Sequence, residues 1–300
     1  MIHGIVNLNK PSGWTSHDAV AKARGLFGQQ RIGHAGTLDP NATGVLILCL
    51  GKATKLSRYF MRLEKEYHGF FSFGKTTDSQ DADGEVLEER DASHVTAGKI
   101  EELLPRFTGE IMQTPPMVSA VKVNGRRLYA LAREGKSVPR EPRKIEVRGF
   151  ELVRYEAPVA EVRVVCSKGT YVRTLAADLG EELGCGAFLQ NLTRTRIGPY
   201  RVEDSFTMED LATASEEGDL PRVLTPLDQA IEHLQPAVLR QHATRYGLPP
   251  LPKTLAGVEP LDRTPEQGDF LQVRDPKGRA IGVVEVDGEM GRLRKVFVTG

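Results

Sequence analysis

Blocks of apolar residues along the chain predict a series of short strands. The consecutive apolar run Val45–Leu50 predicts a buried strand, and alternation over Ile145–Val153 and Val159–Cys166 predicts an antiparallel pair. Further strands are expected in segments rich in aliphatic or aromatic residues, which are 2–8, 67–73 and 187–197. Together with the helices below, they predict an α+β fold on a mixed, mostly antiparallel sheet.

Apolar residues at helical spacing predict five helices between and after these strands. They are a helix capped by Ser16 and helices over 55–61, 100–107, Arg173 to Leu183, and 223–234.

The composition changes after Pro236. The proline-rich stretch 248–252 is typical of a linker, and short strands are expected at 270–273, 280–286 and 293–298. We therefore predict a domain over 1–235 and a small, β-rich second domain over 236–300.

The chain has 300 residues, and its 40 Lys and Arg balance its 40 Asp and Glu. A net charge of zero argues against a uniformly basic nucleic-acid binder. The balance is a cancellation, since segment 122–148 carries nine bases and three acids while 75–110 carries ten acids and four bases. The basic stretch suits phosphate contacts, although a solvated surface loop would show the same composition. Because it lies between proline-rich breaks, we expect segment 113–148 to be a long excursion from the core.

The sequence gives no sign of a membrane or secreted protein. Its longest apolar run is too short to span a bilayer, and the N-terminus lacks the pattern of a signal peptide. Three cysteines without a C-x-x-C pair exclude a complete intrachain disulfide framework, so we expect the cytoplasm.

The segment Gly33–Gly44 is the best candidate for a site. It carries His34, Thr37, Asp39 and Thr43 on a glycine-punctuated loop that leads into the buried strand. Three interpretations remain open for Asp39: a tight turn in which it accepts backbone N–H groups, a phosphate-binding loop, or a catalytic carboxylate.

A desolvated catalytic carboxylate needs a cationic partner to stay ionised. Arg173 is a candidate partner, with an exposed helix position as the alternative. Tyr67 could stack on a ligand ring, or it could belong to the core. Cofactor-binding fingerprints and metal-ligand spacings are missing from the sequence, so we infer no metal and no organic cofactor.

Taken jointly, these motifs resemble one family. Asn9–Ser16 (NKPSGWTS) followed by Gly33–Leu46 (GHAGTLDPNATGVL) is similar to the signature of TruB-type tRNA pseudouridine synthases. Further matching blocks lie at 65–67, 77–84, 113–120, 168–173 and 192–198. The resemblance covers residues 1 to about 200, and the C-terminal module is similar to a PUA-type RNA-binding domain.

The resemblance implies that the chain isomerises uridine 55 in the T-arm of tRNA, with Asp39 as the essential aspartate. It implies that Tyr67 stacks on the flipped base and that Arg173 pairs with Asp39. It further implies roles for three residues around the base: His34 fills the space that the base vacates, Leu192 packs beside the site, and Lys10 supports the catalytic loop. Whether Asp39 attacks the sugar, attacks the base or assists elimination stays open.

The resemblance also implies partners. We expect the excursion 113–148 to clamp the T-arm through Arg126, Arg127 and Arg133, with no guide RNA and with the chain as a monomer. The family commonly has Leu-Arg-Arg where this chain has Leu-Thr-Arg, so Thr193 replaces an arginine. A competing hypothesis is an RNA-folding chaperone or guide-directed scaffold, whose main role is binding.

Overall fold

The computed structural model describes residues 1–119, 122–123, 125–128, 134, 138–240, 253–287 and 293–298. Within them, ten strands form one large sheet in the order β14-β1-β3-β12-β4-β11-β10-β7, with β2 beside β3 and β13 beside β12. These strands are β1 (Gly4–Lys10), β2 (Ile32–Ala35), β3 (Thr43–Leu50), β4 (Lys65–Phe73), β7 (Gly109–Gln113), β10 (Arg143–Glu156), β11 (Val159–Cys166), β12 (Ala187–Ile197), β13 (Tyr200–Arg201) and β14 (Thr225–Pro226).

Neighbouring strands of this sheet are antiparallel except for β3 and β12. The predicted α+β class with a mixed, mostly antiparallel sheet is confirmed. Two further strand pairs lie outside it: β5 (Lys75–Thr77) with β6 (Val86–Glu89), and β8 (Lys122–Val123) with β9 (Arg126–Arg127).

Five α-helices lie within the described residues. They are α1 (Ser16–Leu26), α2 (Ser57–Arg62), α3 (Ala97–Leu103), α4 (Val172–Glu182) and α5 (Met208–Glu216). Helix α1 begins one residue earlier than the sequence suggests, because Thr15 rather than Ser16 is the capping residue. Its side chain accepts from the backbone of Asp18, and Asp18 returns the bond in a capping box.

The predicted helix over 223–234 is wrong. The chain forms short 3-10 turns there, at Leu220–Val223 and Gln229–Ile231, with the strand β14 between them. Pro226 explains the difference, because it has no N–H for a helix and is accommodated at the sheet edge beside Gly4.

Helices cover the sheet and create separate apolar clusters. Helices α3 and α4 pack on β4, β10 and β11, while α1 and α5 pack on β1 and β3. A third cluster joins α2 to the C-terminal region through Phe270 and Val283. No helix in the described part of the chain is long and apolar enough to span a bilayer.

The C-terminal region contains a second sheet in the order β15-β16-β17-β18. Its strands are β15 (Pro236–Val238), β16 (Phe270–Arg274), β17 (Ala280–Val286) and β18 (Leu293–Val298). This sheet has an apolar cluster of its own. Arg62 links it to α2, because its guanidinium lies 3.0 Å from Glu285 and donates to the carbonyl of Gly268 at 2.7 Å. That residues 236–300 form an independent domain stays a prediction.

Gly44 is required where β3 meets β12. Its φ is +97°, and a Cβ at this position would lie 2.2 Å from the carbonyl oxygen of Arg194. We expect Gly44→Ala to lower the free energy of unfolding by more than about 3 kcal/mol, because both the clash and the left-handed backbone oppose it.

Gly28→Ala is the matched control. Gly28 also has a positive φ, +59°, yet a Cβ there would meet nothing within 4 Å. Its expected cost is about 1 kcal/mol, the backbone contribution alone. Denaturant unfolding of both variants measures the difference, and equal costs would contradict the packing argument.

Candidate active site

The candidate catalytic loop, residues 36–42, lies between two strands of the large sheet. The sequence suggested a loop from Gly33, but Ile32–Ala35 pairs with Ile47–Leu50 as strand β2, so the loop is shorter. Asp39 lies at its tip. Ser16 fixes the preceding turn, since its hydroxyl accepts from the backbone N–H of Leu38 at 3.0 Å and donates to its carbonyl at 3.2 Å.

Lys10 stabilises the loop through buried hydrogen bonds to backbone carbonyls. Its side chain is completely buried, and Nζ donates to the carbonyls of Pro11, Trp14 and Pro40 at 2.7–2.9 Å. Burial lowers the pKa of Lys10 to about 8, although the charge of Asp39 opposes this. The carbonyl of Pro40, next to Asp39, is therefore tied to a buried ammonium group.

Arg194 is a second buried cation under the loop, which the sequence reasoning did not identify. Its Nη2 donates to the carbonyl of Gly36 at 3.0 Å, and its Nε donates to that of Val45 at 2.8 Å. Both ends of the loop are thus anchored to one guanidinium. The available signal was a charged residue in the middle of a strand, where burial requires partners.

Arg173 pairs with Asp39 from the first turn of α4. Its Nη2 lies 3.2 and 3.3 Å from the carboxylate oxygens of Asp39 and donates to the carbonyl of Val118 at 2.7 Å. Its Nη1 donates to Asp81 at 2.8 Å. The side chain of Arg173 is only 5% exposed, whereas that of Asp39 is 43% exposed. Asp39 is therefore the accessible end of a buried network.

Opposing effects act on the pKa of Asp39, and the net shift is upward. Burial raises its pKa, and the charges of Asp81 and Asp83 raise it further. The positive charges of Arg173 and Lys10 lower it. Because these two cations oppose the rise, they favour the ionised carboxylate.

Tyr67 and Leu192 lie on neighbouring strands beside this network. Both pack against the apolar cluster under β4, and burial raises the pKa of Tyr67, with Arg194 opposing the rise. Leu192 and Asp39 line one small cavity of about 30 Å³.

His34 lies on β2, with its ring 5.4 Å from that of His17 in an edge-to-face arrangement. Burial, followed by the nearby charges of His17 and Arg194, lowers its pKa to about 4. Its ring is therefore neutral at neutral pH. The buried Nδ1 has no hydrogen-bond partner among the described residues.

Two of the three predicted clamp residues lie on a described strand. Arg126 and Arg127 form strand β9, which pairs with β8, and Arg133 lies outside the described residues. At the position where the family commonly has an arginine, Thr193 contacts Thr43, with 2.8 Å between the two hydroxyl oxygens.

Asp81, which lies in the matching block 77–84, is a second acidic partner of Arg173. Beyond its bond to Arg173, it bonds the hydroxyl of Ser79 and accepts from the backbone of Asp83. Its position in the 77–84 block was the available signal. Because it shares a guanidinium with Asp39, Asp81 positions Arg173.

Comparison with known proteins identifies the family. The model of the TruB family pseudouridylate synthase N-terminal domain matches residues 24–172, and that of the tRNA pseudouridylate synthase B C-terminal domain matches 173–232. The chain belongs to the TruB family. The tRNA pseudouridine synthase B of Stutzerimonas stutzeri (strain A1501) is 43% identical over 97% of this chain and 94% of that protein. Its namesake from Pelotomaculum thermopropionicum is 39% identical over 99% and 95%.

Solved structures share the TruB fold. A Cbf5-Nop10-Gar1 complex has a chain with a TM-score of 0.75 and 26% identity, covering 99% of this chain and 84% of that one. An H/ACA RNP bound to a substrate RNA containing 2′-deoxyuridine gives a TM-score of 0.71 at 24% identity, with 99% and 86% covered.

Replacing Lys10 by methionine tests its role under the loop. Charge-assisted hydrogen bonds contribute about 1.5–3 kcal/mol each, so we expect Lys10→Met to lower the free energy of unfolding by about 2 kcal/mol or more. Turnover should fall because Pro40 and Asp39 lose their support. Lys22→Met, on the exposed surface of α1, is the control and should change neither quantity.

The pH dependence of stability gives a second readout. The pKa of Lys10 is about 8 in the folded protein and 10.5 in an exposed lysine. Between these values the unfolded chain binds more protons, so Lys10 makes stability rise with pH. Lys10→Met should lose this contribution. If the free energy of unfolding changed by the same amount between pH 8 and pH 10.5 in the variant and in the unaltered protein, the buried charge of Lys10 would be contradicted.

Proposed function

We propose that this chain converts uridine to pseudouridine in tRNA, at position 55 of the T-arm. Membership of the TruB family and the names of its relatives support the reaction and the class of RNA. The observation that carries the proposal is the pair of Asp39 and Arg173, in which a buried cation holds a partly exposed carboxylate at the tip of an anchored loop.

The reaction is an isomerisation. The bond between N1 of uracil and C1′ of the ribose breaks, the base turns, and C5 bonds to C1′; C5 loses a proton and N1 gains one, so the composition is unchanged. A base in a folded arm must first leave its stack, which costs a few kcal/mol. The small cavity between Asp39 and Leu192 is consistent with a site that opens when the base enters.

Asp39 is the proposed catalytic group, and its carboxylate is the form that can act as nucleophile or base. Arg173 keeps it ionised and oriented. Tyr67 provides the aromatic surface for the flipped uracil, and its raised pKa keeps the phenol protonated at neutral pH, so that it can donate a hydrogen bond.

Three further residues have supporting roles in this proposal. His34, whose pKa of about 4 leaves it neutral, fills the space in the RNA that the base vacates. Leu192 closes the apolar side of the cavity, and Lys10 anchors the loop.

The arm itself is held by the basic excursion 113–148 in this proposal, through Arg126, Arg127 and Arg133. Its connection to the site supports this, because the carbonyl of Val118 accepts from Arg173. RNA bound to the excursion would therefore lie next to Asp39.

We further propose that the chain acts as a monomer in the cytoplasm without a guide RNA. The solved relatives include H/ACA assemblies at 23–26% identity, which keeps a guide-directed scaffold as the second candidate. The higher identity to curated tRNA pseudouridine synthase B proteins, over nearly their whole length, favours the stand-alone enzyme.

Asp39→Asn tests the proposal directly. We expect it to abolish pseudouridine formation in a T-arm stem-loop while RNA binding changes by no more than a few-fold, since the amide preserves shape but cannot act as a nucleophile or base. Asp204→Asn, at an exposed aspartate, is the control. Because the two nucleosides have equal mass, the digested RNA is separated by chromatography before mass spectrometry.

Each result of that assay is decisive. Product from the Asp39→Asn protein would overturn the assignment of Asp39. No product from the unaltered chain, with product after addition of guide RNA and partner proteins, would favour the scaffold. Binding without product under either condition would favour the chaperone.

Charge reversal at Arg126, Arg127 and Arg133 tests the clamp. Each lost phosphate contact lowers the slope of log K against log salt by about 0.7–0.9, so the slope should fall by about 2–3. Lys75, Arg106 and Arg154, which are exposed cations of other strands and turns, provide the same charge change as a control. An unchanged slope for stem-loop binding would mean that these arginines contact something else.

A further inference from the structure

Segment 19–61 differs from the rest of the described chain in how its arginines are paired. Arginines elsewhere mostly lie within 4 Å of a carboxylate, as Arg90, Arg163 and Arg196 do. Segment 19–61 has six cations and one carboxylate, Asp39. The six are Lys22, Arg24, Arg31, Lys52, Lys55 and Arg58, and none has a carboxylate partner among the described residues.

Three of these cations repeat every third residue. Lys52 and Lys55 lie on the 3-10 helix Gly51–Leu56, and Arg58 follows on α2. Residues three apart on a 3-10 helix share one face and are separated by about 6 Å along its axis. The other face is buried in the core, through Ala53, Leu56, Tyr59 and Phe60. Fixed backbone geometry therefore presents the cations as a row.

Arg31 joins this row from the neighbouring turn. Its Nε donates to the hydroxyl of Thr54 at 3.2 Å, and its carbonyl accepts from the backbone of Gly51 at 2.8 Å. His3 lies between them, and its Nδ1 accepts from the backbone N–H of Lys52 at 3.2 Å. Burial lowers the pKa of His3, and the charges of Lys52 and Arg31 add to the effect. We name Arg31, Lys52, Lys55 and Arg58 the cationic ridge.

The ridge lies far from the catalytic loop. Strand β3 begins at the loop and ends at Leu50, directly before the ridge, so seven steps of about 3.3 Å separate the two by about 23 Å. This equals about seven base pairs of duplex at 3.4 Å each. Strand β18 packs against Gly51–Leu56.

We propose that the cationic ridge binds the phosphate backbone of the substrate tRNA outside the arm that carries the target uridine. The inference rests on the proposed function and adds a second RNA contact to it. Exposed cations without carboxylate partners gain the most from phosphates, because no ion pair has to be broken and condensed counterions are released. In a chain of zero net charge, the ridge and the excursion 113–148 hold two parts of one RNA.

A membrane surface fits the ridge less well. Helices that lie on bilayers expose apolar side chains beside their cations. Here Ala53, Leu56, Tyr59 and Phe60 are buried, and Met61 is the one exposed large apolar side chain of residues 51–62. A single methionine beside Lys55 and Arg58 is not such an apolar face. Phosphates of a folded RNA require only the cations.

The test compares two RNAs and one triple variant, Lys52→Gln/Lys55→Gln/Arg58→Gln. With a full-length tRNA transcript at about 0.1 M salt, we expect Kd and KM to rise about tenfold and the salt slope to fall by about 2–3. With an isolated T-arm stem-loop, Kd should change less than twofold. The turnover number should be unchanged for both RNAs, because the ridge does not reach the site.

A matched triple variant controls for net charge. Lys75→Gln/Arg106→Gln/Arg154→Gln removes the same three charges from exposed pairs, which contribute little to stability. Three results would overturn the proposal for the ridge: an equal loss of affinity for full-length tRNA in the two triple variants, an equal loss of affinity for both RNAs, or an unchanged Kd for full-length tRNA. Loss of binding to phosphatidylserine vesicles with unchanged tRNA binding would assign it to a membrane instead. Thermal unfolding confirms that each variant is folded.

The ridge and the proposed function can fail separately. Binding of full-length tRNA is measured without catalysis, so a ridge effect on Kd would stand even if no pseudouridine formed. Suppose instead that the Lys52→Gln/Lys55→Gln/Arg58→Gln variant forms pseudouridine at an unchanged turnover number and binds full-length tRNA with an unchanged Kd. That result would overturn the proposal for the ridge and leave the proposed function intact.

Discussion

The proposed active site depends on one buried guanidinium. Arg173 is almost inaccessible to solvent, and a charge in that position is stable only if acceptors surround it. Asp81 and the carbonyl of Val118 hold it at 2.8 and 2.7 Å, while Asp39 lies at 3.2–3.3 Å. The closer contacts fix the arginine, and the longer one leaves Asp39 freer to act on a substrate. Removing one partner of a buried pair typically costs about 3–5 kcal/mol, so the network is coupled to the fold itself.

Two other buried cations build the loop that carries Asp39. Lys10 and Arg194 are fully buried and donate to backbone carbonyls of the loop and its flanks. Carbonyls are weaker partners than carboxylates, so these cations add positive potential near Asp39 without neutralising it, and Lys10 lowers its pKa in this way. The sheet contributes the geometry, because β3 and β12 approach closely enough at Gly44 that only a glycine fits.

The sequence predicted the strands well and the short turns poorly. The strand Val45–Leu50 is recognisable because an uninterrupted apolar run of this length is typical of a buried strand. Segment 223–234 combines apolar residues with Pro226, and there tertiary contacts favour short turns over a helix. For the site, spacing alone left Asp39 with three interpretations, and only the family motifs placed it with Arg173. The roles of Asp81 and Arg194 could not be predicted from the residues next to them in the sequence. They arise because α4 and β12 bring residues about 90 to 160 positions apart into contact.

A net charge of zero conceals this organisation of charge. Among the described residues, most arginines outside segment 19–61 are matched by carboxylates and the cations around Asp39 are buried, whereas the six cations of segment 19–61 have no carboxylate partner. The central claim is that Arg173 keeps Asp39 ionised. Its most direct test is ¹³C NMR titration of the Asp39 carboxyl in the native protein and in Arg173→Gln. The account predicts that the pKa of Asp39 moves upward in the variant, and that the acid limb of the pH–rate profile follows it. An Asp39 titration that is the same in both proteins would contradict the claim.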